Sequence, residues 1–183
     1  MSSELTAMDF THDSKTQYFL YMSEITASEI IEQLDLEEHP EGGYFRETYR
    51  GNEMVLGEDD QKRSAGTGIY FLLTEGVCTN WHRVRSDELW HFYEGEQLVL
   101  EVIDDEGNFQ QLLLGDELSD EGKIQQLVPK NCWQRAYSTG HYTLVGCTVH
   151  PGFEFKDFEM IESGELANQF PDIGAEIVRN PFA

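Results

Sequence analysis

The sequence predicts an all-β protein whose strands close into a jelly roll, with one short helix near the N-terminus. Short apolar or alternating segments, about eight in number, recur at regular intervals, and turns rich in Gly, Pro and Asp separate them, as is typical of closed or double-sheet β architectures. They cover residues 44–50, 69–74, 97–103, 109–114, 124–128, 132–137 and 141–149, with a further strand region at 82–92. This pattern argues against a parallel sheet with crossover helices.

Length and composition predict one compact, aromatic-rich domain. The 183 residues are 39% hydrophobic and include 11 Phe, 8 Tyr and 3 Trp, enough for a sizeable core despite the high charge. Asp and Glu number 35 against 12 Lys and Arg, so the formal net charge is -23. Because such a charge repels phosphate backbones and anionic lipid surfaces, neither nucleic acid nor a membrane is an expected partner.

Cysteine usage and the absence of targeting signals predict a cytoplasmic location. Cys78, Cys132 and Cys147 are odd in number and lack C-x-x-C spacing, so they indicate neither a disulfide framework nor a zinc knuckle. No apolar run approaches the roughly 20 residues of a membrane span. The N-terminus also lacks the basic region and apolar core of a secretion signal.

The helix is predicted from local capping chemistry. Thr26 and Glu29 form a capping box at the start of a helix predicted over residues 27–34, where the apolar side chains fall on one helical face. Residues 1–22 show neither steady periodicity nor a cap, and they are predicted to be an N-terminal extension. Pro40 and the following glycines then end the helical region.

The remaining boundaries follow from composition. Residues 51–67 and 115–123 are polar and acidic and are predicted to be loops. A single domain is predicted over residues 23–165, with a C-terminal tail at 166–183.

The candidate site lies in residues 76–95, where polar side chains fall at spacings that suit strands. The residues of one parity are His82, Val84, Glu88, Trp90 and Phe92. If two strands meet across the turn at residues 85–87, His82 and Glu88 converge inside the sheet. His91 has the opposite parity and is expected to face away, which suits a structural or interface role, although it also remains a candidate ligand-binding residue.

The spacing of this region resembles the first motif of the cupin superfamily, which reads G, five residues, H-x-H, three or four residues, E, six residues, G. The corresponding residues here are Gly76, His82, Val84, Glu88 and Gly95. The match is complete in spacing and fails only at the second histidine, where Val84 stands.

A second cupin motif, G, five residues, P-x-G, two residues, H, three residues, N, is matched more weakly. Its first gap is one residue longer here, between Gly122 and Pro129. Asn131, Gln134 and Ser138 then replace the glycine, histidine and asparagine of the motif.

Longer runs sharpen the resemblance to one uncharacterised branch, called cupin superfamily five. The runs are HPEGGYFRETYR, IYFLLTEG, HRVRSDELWHFYEGE, LVPKNCWQRAY and VHPGFEF, and they lie within about residues 25–160. The resemblance implies a double-stranded β-helix, a build similar to sugar-nucleotide epimerases, and pairing as a homodimer. It implies no established activity.

The same resemblance bears on cofactors. Metal-binding cupins use three His and one Glu, and this chain offers His82, Val84, Glu88 and Gln134 at those positions. One imidazole, one carboxylate and a weak amide oxygen are a poor ligand set for a transition metal. No cofactor is therefore expected, beyond weak or adventitious divalent metal held by His82, Glu88 and Gln134.

Without a metal, a histidine near a glutamate suits proton abstraction beside a carbonyl group. We therefore predict that His82 and Glu88 are the catalytic residues of an epimerase- or isomerase-like cupin. Its ligand in the barrel would be a sugar-nucleotide-like or other small polar carbonyl compound. Arg46 is predicted to hold a carboxylate or phosphate group, and Gln134, His91 and Trp90 complete the candidate ligand-binding set.

Two alternatives stay open at this point. The first is a metal-dependent cupin oxygenase or isomerase with a reduced ligand set. The second is a non-catalytic binding or storage-like module.

Overall fold

Two six-stranded sheets form the body of the protein. The structure is a computed structural model that describes residues 25–57, 59–116 and 122–183, so the predicted extension at 1–22 lies outside the described residues. The strands are β1 (Glu37–Glu38), β2 (Tyr44–Arg50), β3 (Met54–Leu56), β4 (Lys62–Ser64), β5 (Thr67–Thr74), β6 (His82–Arg83), β7 (Asp87–Gly95), β8 (Leu98–Ile103), β9 (Phe109–Leu114), β10 (Gly122–Lys123), β11 (Gln125–Val128), β12 (Trp133–Ser138), β13 (Tyr142–His150) and β14 (Glu159–Met160). The helices are α1 (Ala27–Leu34), α2 (Ser163–Gln169) and α3 (Gly174–Val178).

The strand order confirms the predicted all-β jelly roll. The first sheet runs β1-β2-β5-β13-β7-β11 and the second runs β10-β9-β8-β12-β6-β14. Neighbouring strands are antiparallel except for the short β9–β10 pair. Strands that follow one another in sequence therefore often belong to different sheets, as double-sheet folds require.

The main core lies between the two sheets. Phe71, Trp90 and Val145 from the first sheet pack with Leu100 and Ala136 from the second, all nearly or fully buried. Strand β8, LVLEVI, is buried at every residue, because it is covered on both faces.

Helix α1 confirms the prediction from capping chemistry. The Thr26 hydroxyl accepts from the Glu29 backbone N–H, and the Glu29 carboxylate accepts from the Thr26 backbone N–H. Ile30 is buried against Leu72 and Leu144, so the helix covers one face of the first sheet.

One predicted loop contains a hairpin. Strands β3 and β4 pair with each other within the predicted loop at 51–67 and form a separate two-stranded sheet. All three residues of β3 are exposed. Because neither strand shows an alternating apolar pattern, periodicity could not identify them.

The C-terminal residues pack on the barrel. Helix α2 spans the predicted boundary at residue 165, and Leu166 and Ile177 are fully buried against Trp81. The Trp81 indole N–H also donates to the Ile177 carbonyl oxygen at 3.2 Å. No helix in the described part of the chain has the length and apolarity needed to cross a membrane.

Candidate functional site

His82 and Glu88 line one cavity of about 70 Å³ but lie in different sheets. Strand β6 carries His82 and pairs with β12 and β14, whereas β7 carries Glu88 and pairs with β11 and β13. The expectation that the two strands meet across the turn at residues 85–87 is therefore wrong. The turn instead carries the chain from one sheet to the other, and the two side chains reach the same space, hereafter the central cavity.

The nearest acidic partner of His82 is Glu41. The His82 Nε2 atom lies 3.2 Å from Glu41 Oε2, and both side chains are buried. The His82 Nδ1 atom lies 2.9 Å from the Asn80 carbonyl oxygen. Because a carbonyl can only accept, Nδ1 carries the ring proton and Nε2 is the acceptor, so the Glu41 carboxyl donates a proton to it.

Burial sets the charge state of this pair. It raises the pKa of Glu41 well above its usual value, and the nearby Glu88 carboxylate raises it further. Burial also lowers the pKa of His82 to about 4. The two groups therefore share one proton as a neutral pair.

Sequence reasoning missed Glu41, which a tight turn holds in place. Gly42 and Gly43 adopt φ values of 107° and 76°, a region that favours glycine. A Cβ atom on Gly43 would lie 2.8 Å from the Leu72 carbonyl oxygen. The Glu41 carbonyl also accepts from the Asn80 N–H at 2.7 Å. The sequence did contain a signal for Glu41: it stands between a proline and two glycines in the run HPEGGYFRETYR, where a tight turn is expected.

A second histidine adjoins this pair. The His39 Nδ1 atom lies 3.6 Å from Glu41 Oε2, and burial lowers the pKa of His39 to about 4. Its ring packs edge-on against Phe45 and Phe71. Glu41 therefore lies between two imidazoles in the wall of the central cavity.

Glu88 is held by a polar link between the sheets. The Gln134 amide nitrogen on β12 donates to Glu88 Oε2 at 2.6 Å, and the Trp90 indole N–H on β7 donates to Gln134 Oε1 at 3.1 Å. Burial raises the pKa of Glu88 to about 7, while hydrogen bonds from Gln134 and Cys147 act in the opposite direction. Glu88 therefore changes charge near neutral pH.

These contacts do not fit the metal set that the fold implies. Val84 has no donor atom, and the fully buried Gln134 directs its amide nitrogen to Glu88 and its oxygen to Trp90. The ring nitrogens of His82 face Glu41 and Asn80. Among residues 25–57, 59–116 and 122–183, no three His, Cys, Asp or Glu side chains are grouped to hold an ion.

Trp90 lines the central cavity, whereas Arg46 and His91 do not. The Arg46 guanidinium carbon lies 5.9 Å from the centre of the Tyr70 ring, on the sheet face opposite Phe45 and Phe71. The predicted ligand contact of Arg46 is therefore not found in this cavity.

His91 faces away from the cavity, as its parity predicts. Its Nε2 atom lies 2.9 Å from Thr148 Oγ1, and its Nδ1 atom lies 2.9 Å from Gln125 Nε2. The imidazole therefore links β7 to strands on both sides of it.

An aromatic wall completes the cavity. Its members are Phe45, Phe71, Trp90, Phe153, Phe155 and Phe158. The site thus combines buried acid–base groups with apolar surfaces suited to a small molecule.

Comparison with known proteins identifies one matching family model and several similar structures. The family model described as Cupin superfamily (DUF985) matches residues 28–161. A hypothetical protein from Leishmania major is 33% identical, with 84% of this chain and 97% of that chain covered and a TM-score of 0.78. A protein from Shewanella oneidensis is 35% identical, with 84% and 95% covered and a TM-score of 0.76.

More distant similarity concerns the fold alone. Oxalate decarboxylase from Bacillus subtilis is 14% identical, with 81% of this chain and 37% of that chain covered and a TM-score of 0.52. No curated protein matches the chain.

Proposed function

The chain belongs to the cupin superfamily, in the family described as DUF985, and on that premise we propose that it moves a proton on a small carbonyl compound without a metal. The observation that carries the proposal is the presence of Glu41, His82 and Glu88, all buried, around one cavity. General acid–base groups work best when their pKa lies near the working pH, and the pKa of Glu88 is about 7.

The proposed reaction is an isomerisation through an enediol. The Glu88 carboxylate takes the proton from the carbon beside the carbonyl, and the Glu41 carboxyl gives its proton to the carbonyl oxygen. Glu88 then returns its proton to the neighbouring carbon while the adjacent hydroxyl restores the proton of Glu41. His82, fixed by Asn80, positions the Glu41 carboxyl before the transfer, when Nε2 accepts the Glu41 proton in a hydrogen bond, and again once that proton has been restored.

Cavity size narrows the ligand class predicted from the sequence. Sites for drug-sized ligands enclose about 300–1,000 Å³, whereas this cavity encloses about 70 Å³. A whole sugar nucleotide is too large for it. The Glu88 carboxylate, which is ionised when it acts as the base, also disfavours an anionic group next to it, so the reacting part is a short, uncharged hydroxycarbonyl unit.

Solvent deuterium exchange tests this function. Dihydroxyacetone and glyceraldehyde would be incubated with the protein in D₂O, and loss of the exchangeable C–H signal would be followed by proton NMR. We expect exchange that Glu88→Gln slows by about 10²–10⁴-fold. His91→Gln is the matched control, because it changes a polar residue on the same strand that faces away from the cavity.

Three results would contradict the proposal. If Glu88→Gln exchanged at the wild-type rate, the Glu88 carboxylate would not be the base. Exchange that mild chelation abolishes and one equivalent of a divalent ion restores would favour the metal-dependent alternative. Absence of exchange would favour the non-catalytic binding module.

The homodimer stays a prediction. Exposed apolar side chains on the β3–β4 hairpin, Met54, Val55 and Leu56, are available for such a contact.

A further inference from the structure

A second, larger cavity of about 900 Å³ lies beside the central cavity and shares Val84 and Phe158 with it. Five cations line it, so we call it the cationic groove: Arg63, Arg83, Arg85, Lys130 and Lys156. The proposed reaction uses none of these residues.

The composition of the groove differs sharply from that of the chain. It contains five of the 12 Lys and Arg residues but only five of the 35 Asp and Glu residues. The groove is thus formally neutral on a protein whose net charge is -23. An anion would meet less repulsion here than over an average part of such an acidic surface.

Most of the acidic residues in the groove already have partners. Arg63 donates to both Asp59 and Asp157 at 2.6–3.0 Å. Arg83 donates to Glu159 at 2.9 Å. Two guanidinium groups thus hold three of the five carboxylates in ion pairs, and the Arg63–Asp157 pair is the most buried of them.

Arg85 and Lys156 offer the cations for a ligand. The Arg85 side chain is 63% exposed, and its nearest acidic atom, Asp157 Oδ1, lies 4.0 Å away and already accepts from Arg63. Lys156 is exposed, and no ion pair involving it is found within the described ranges. A guanidinium and an ammonium group together are well suited to a phosphate group.

We propose that the cationic groove binds the phosphate group of the compound whose hydroxycarbonyl end enters the central cavity, so that the substrate is a phosphorylated hydroxycarbonyl compound. The inference rests on the proposed function for the identity of the reacting end. The central cavity carries acidic groups and the exposed side chains of Arg85 and Lys156 in the groove are cationic, and this difference fixes the orientation of the ligand. The Glu88 carboxylate disfavours the phosphate inside the cavity, and Arg85 and Lys156 hold it outside, next to Phe158.

Calorimetric binding and deuterium exchange on the full chain test this inference together. Dihydroxyacetone phosphate and dihydroxyacetone would be titrated into the wild type and into the Arg85→Gln/Lys156→Gln double variant. Both replaced side chains are exposed, so folding should be preserved. Lys123→Gln is the control for removal of a positive charge away from the groove, because Lys123 is exposed on β10 and lies outside the groove.

We expect the wild type to bind the phosphorylated compound at least tenfold more tightly than dihydroxyacetone. The double variant should lose this preference, Lys123→Gln should keep it, and added inorganic phosphate should compete in the wild type. Raising the salt concentration should weaken binding of the phosphorylated compound only. Exchange of unphosphorylated dihydroxyacetone should be unchanged in the double variant.

Equal affinity of the wild type for the two compounds, or a preference that survives in the double variant, would overturn the inference. Failure of the proposed function gives a different result. In that case the groove variants would still lose phosphate binding, while Glu88→Gln would leave exchange unchanged or no exchange would occur.

Discussion

His82 Nε2 lies 3.2 Å from Glu41 Oε2, so the imidazole that the first cupin motif supplies is paired with a carboxyl group that lies outside that motif. The carboxyl comes from the turn between β1 and β2, in the first sheet, while the imidazole comes from the second. The acid–base pair therefore exists only once the two sheets have packed.

Glu41→Gln should slow proton transfer while it leaves the stability of the Glu41–His82 pair almost unchanged. An amide keeps the shape of the carboxyl and can still donate to His82 Nε2, so the free energy of unfolding should change by no more than about 1 kcal/mol. It has no proton to transfer, and deuterium exchange should slow by at least about 100-fold. The same measurement on Glu154→Gln, an exposed carboxylate paired with Arg50, should show no change. A Glu41→Gln protein that exchanges at the wild-type rate would show that Glu41 is not the acid.

Glu88 should make stability fall as pH rises through neutrality. Its pKa is about 7 in the folded protein, against an ordinary value of 4.5 in the unfolded chain, so between these values the folded state keeps a proton that the unfolded chain has released. Linkage then requires that its stabilising contribution is complete below pH 4.5 and is lost as pH rises through 7. From pH 4.5 to 7.5 the unfolding free energy of the wild type, relative to Glu88→Gln, should fall by on the order of 3 kcal/mol.

Urea denaturation of both proteins at several pH values in this window would measure the difference. The unfolding free energy of Glu88→Gln is subtracted from that of the wild type because other groups also make stability depend on pH. Glu41, with its raised pKa, makes stability fall as pH rises, whereas His39 and His82, with lowered pKa values, make it rise. A constant difference across the window would mean that Glu88 titrates normally.

Gln134→Leu should destabilise the protein because it removes the polar link between the sheets. It would leave the Trp90 indole N–H and the Glu88 carboxyl without their Gln134 partner in the buried interior. Each unsatisfied buried group costs about 1–3 kcal/mol, so a loss on the order of 3 kcal/mol is expected in chemical denaturation. Gln125→Leu, at an exposed position on β11, should cost less than about 1 kcal/mol. Equal effects of the two substitutions would contradict a structural role for the link.

Ile177→Ala should show that the C-terminal helix belongs to the folded unit. Ile177 is fully buried against Trp81 and Trp133, and its truncation should cost about 2–4 kcal/mol. Val178, the next residue, is 55% exposed, and Val178→Ala should stay within about 0.5 kcal/mol. A single cooperative transition by circular dichroism and tryptophan fluorescence is expected for both. If Ile177→Ala were as stable as the wild type, the helix would not contribute to the stability of the barrel.

Much of the fold was predictable because the relevant signals are local. The Thr26–Glu29 capping box fixes the start of α1, and the strand predicted at 109–114 is β9 at the same residues. The β3–β4 hairpin escaped prediction because exposed strands need no apolar face.

The site was only partly predictable, for a physical reason. Parity placed His82 and Glu88 in the interior, but parity describes one strand and does not specify which strand lies opposite. Glu41 reaches His82 through tertiary packing, and its own turn carries no periodic pattern. Arg46 illustrates the converse: its charge suggested a ligand contact, but its position on β2 directs it toward Tyr70.

The placement of Glu88 in one sheet and His82 in the other has a wider consequence. The spacing between Glu88 and the imidazole that orients the Glu41 carboxyl is set by the thickness of the sandwich, and therefore by core side chains such as Phe71 and Leu100 that no ligand needs to touch. Related chains with the same acidic and imidazole groups could thus differ in reactivity through the volume of their interior residues alone. Repacking the core would tune the chemistry without any change in the residues that perform it.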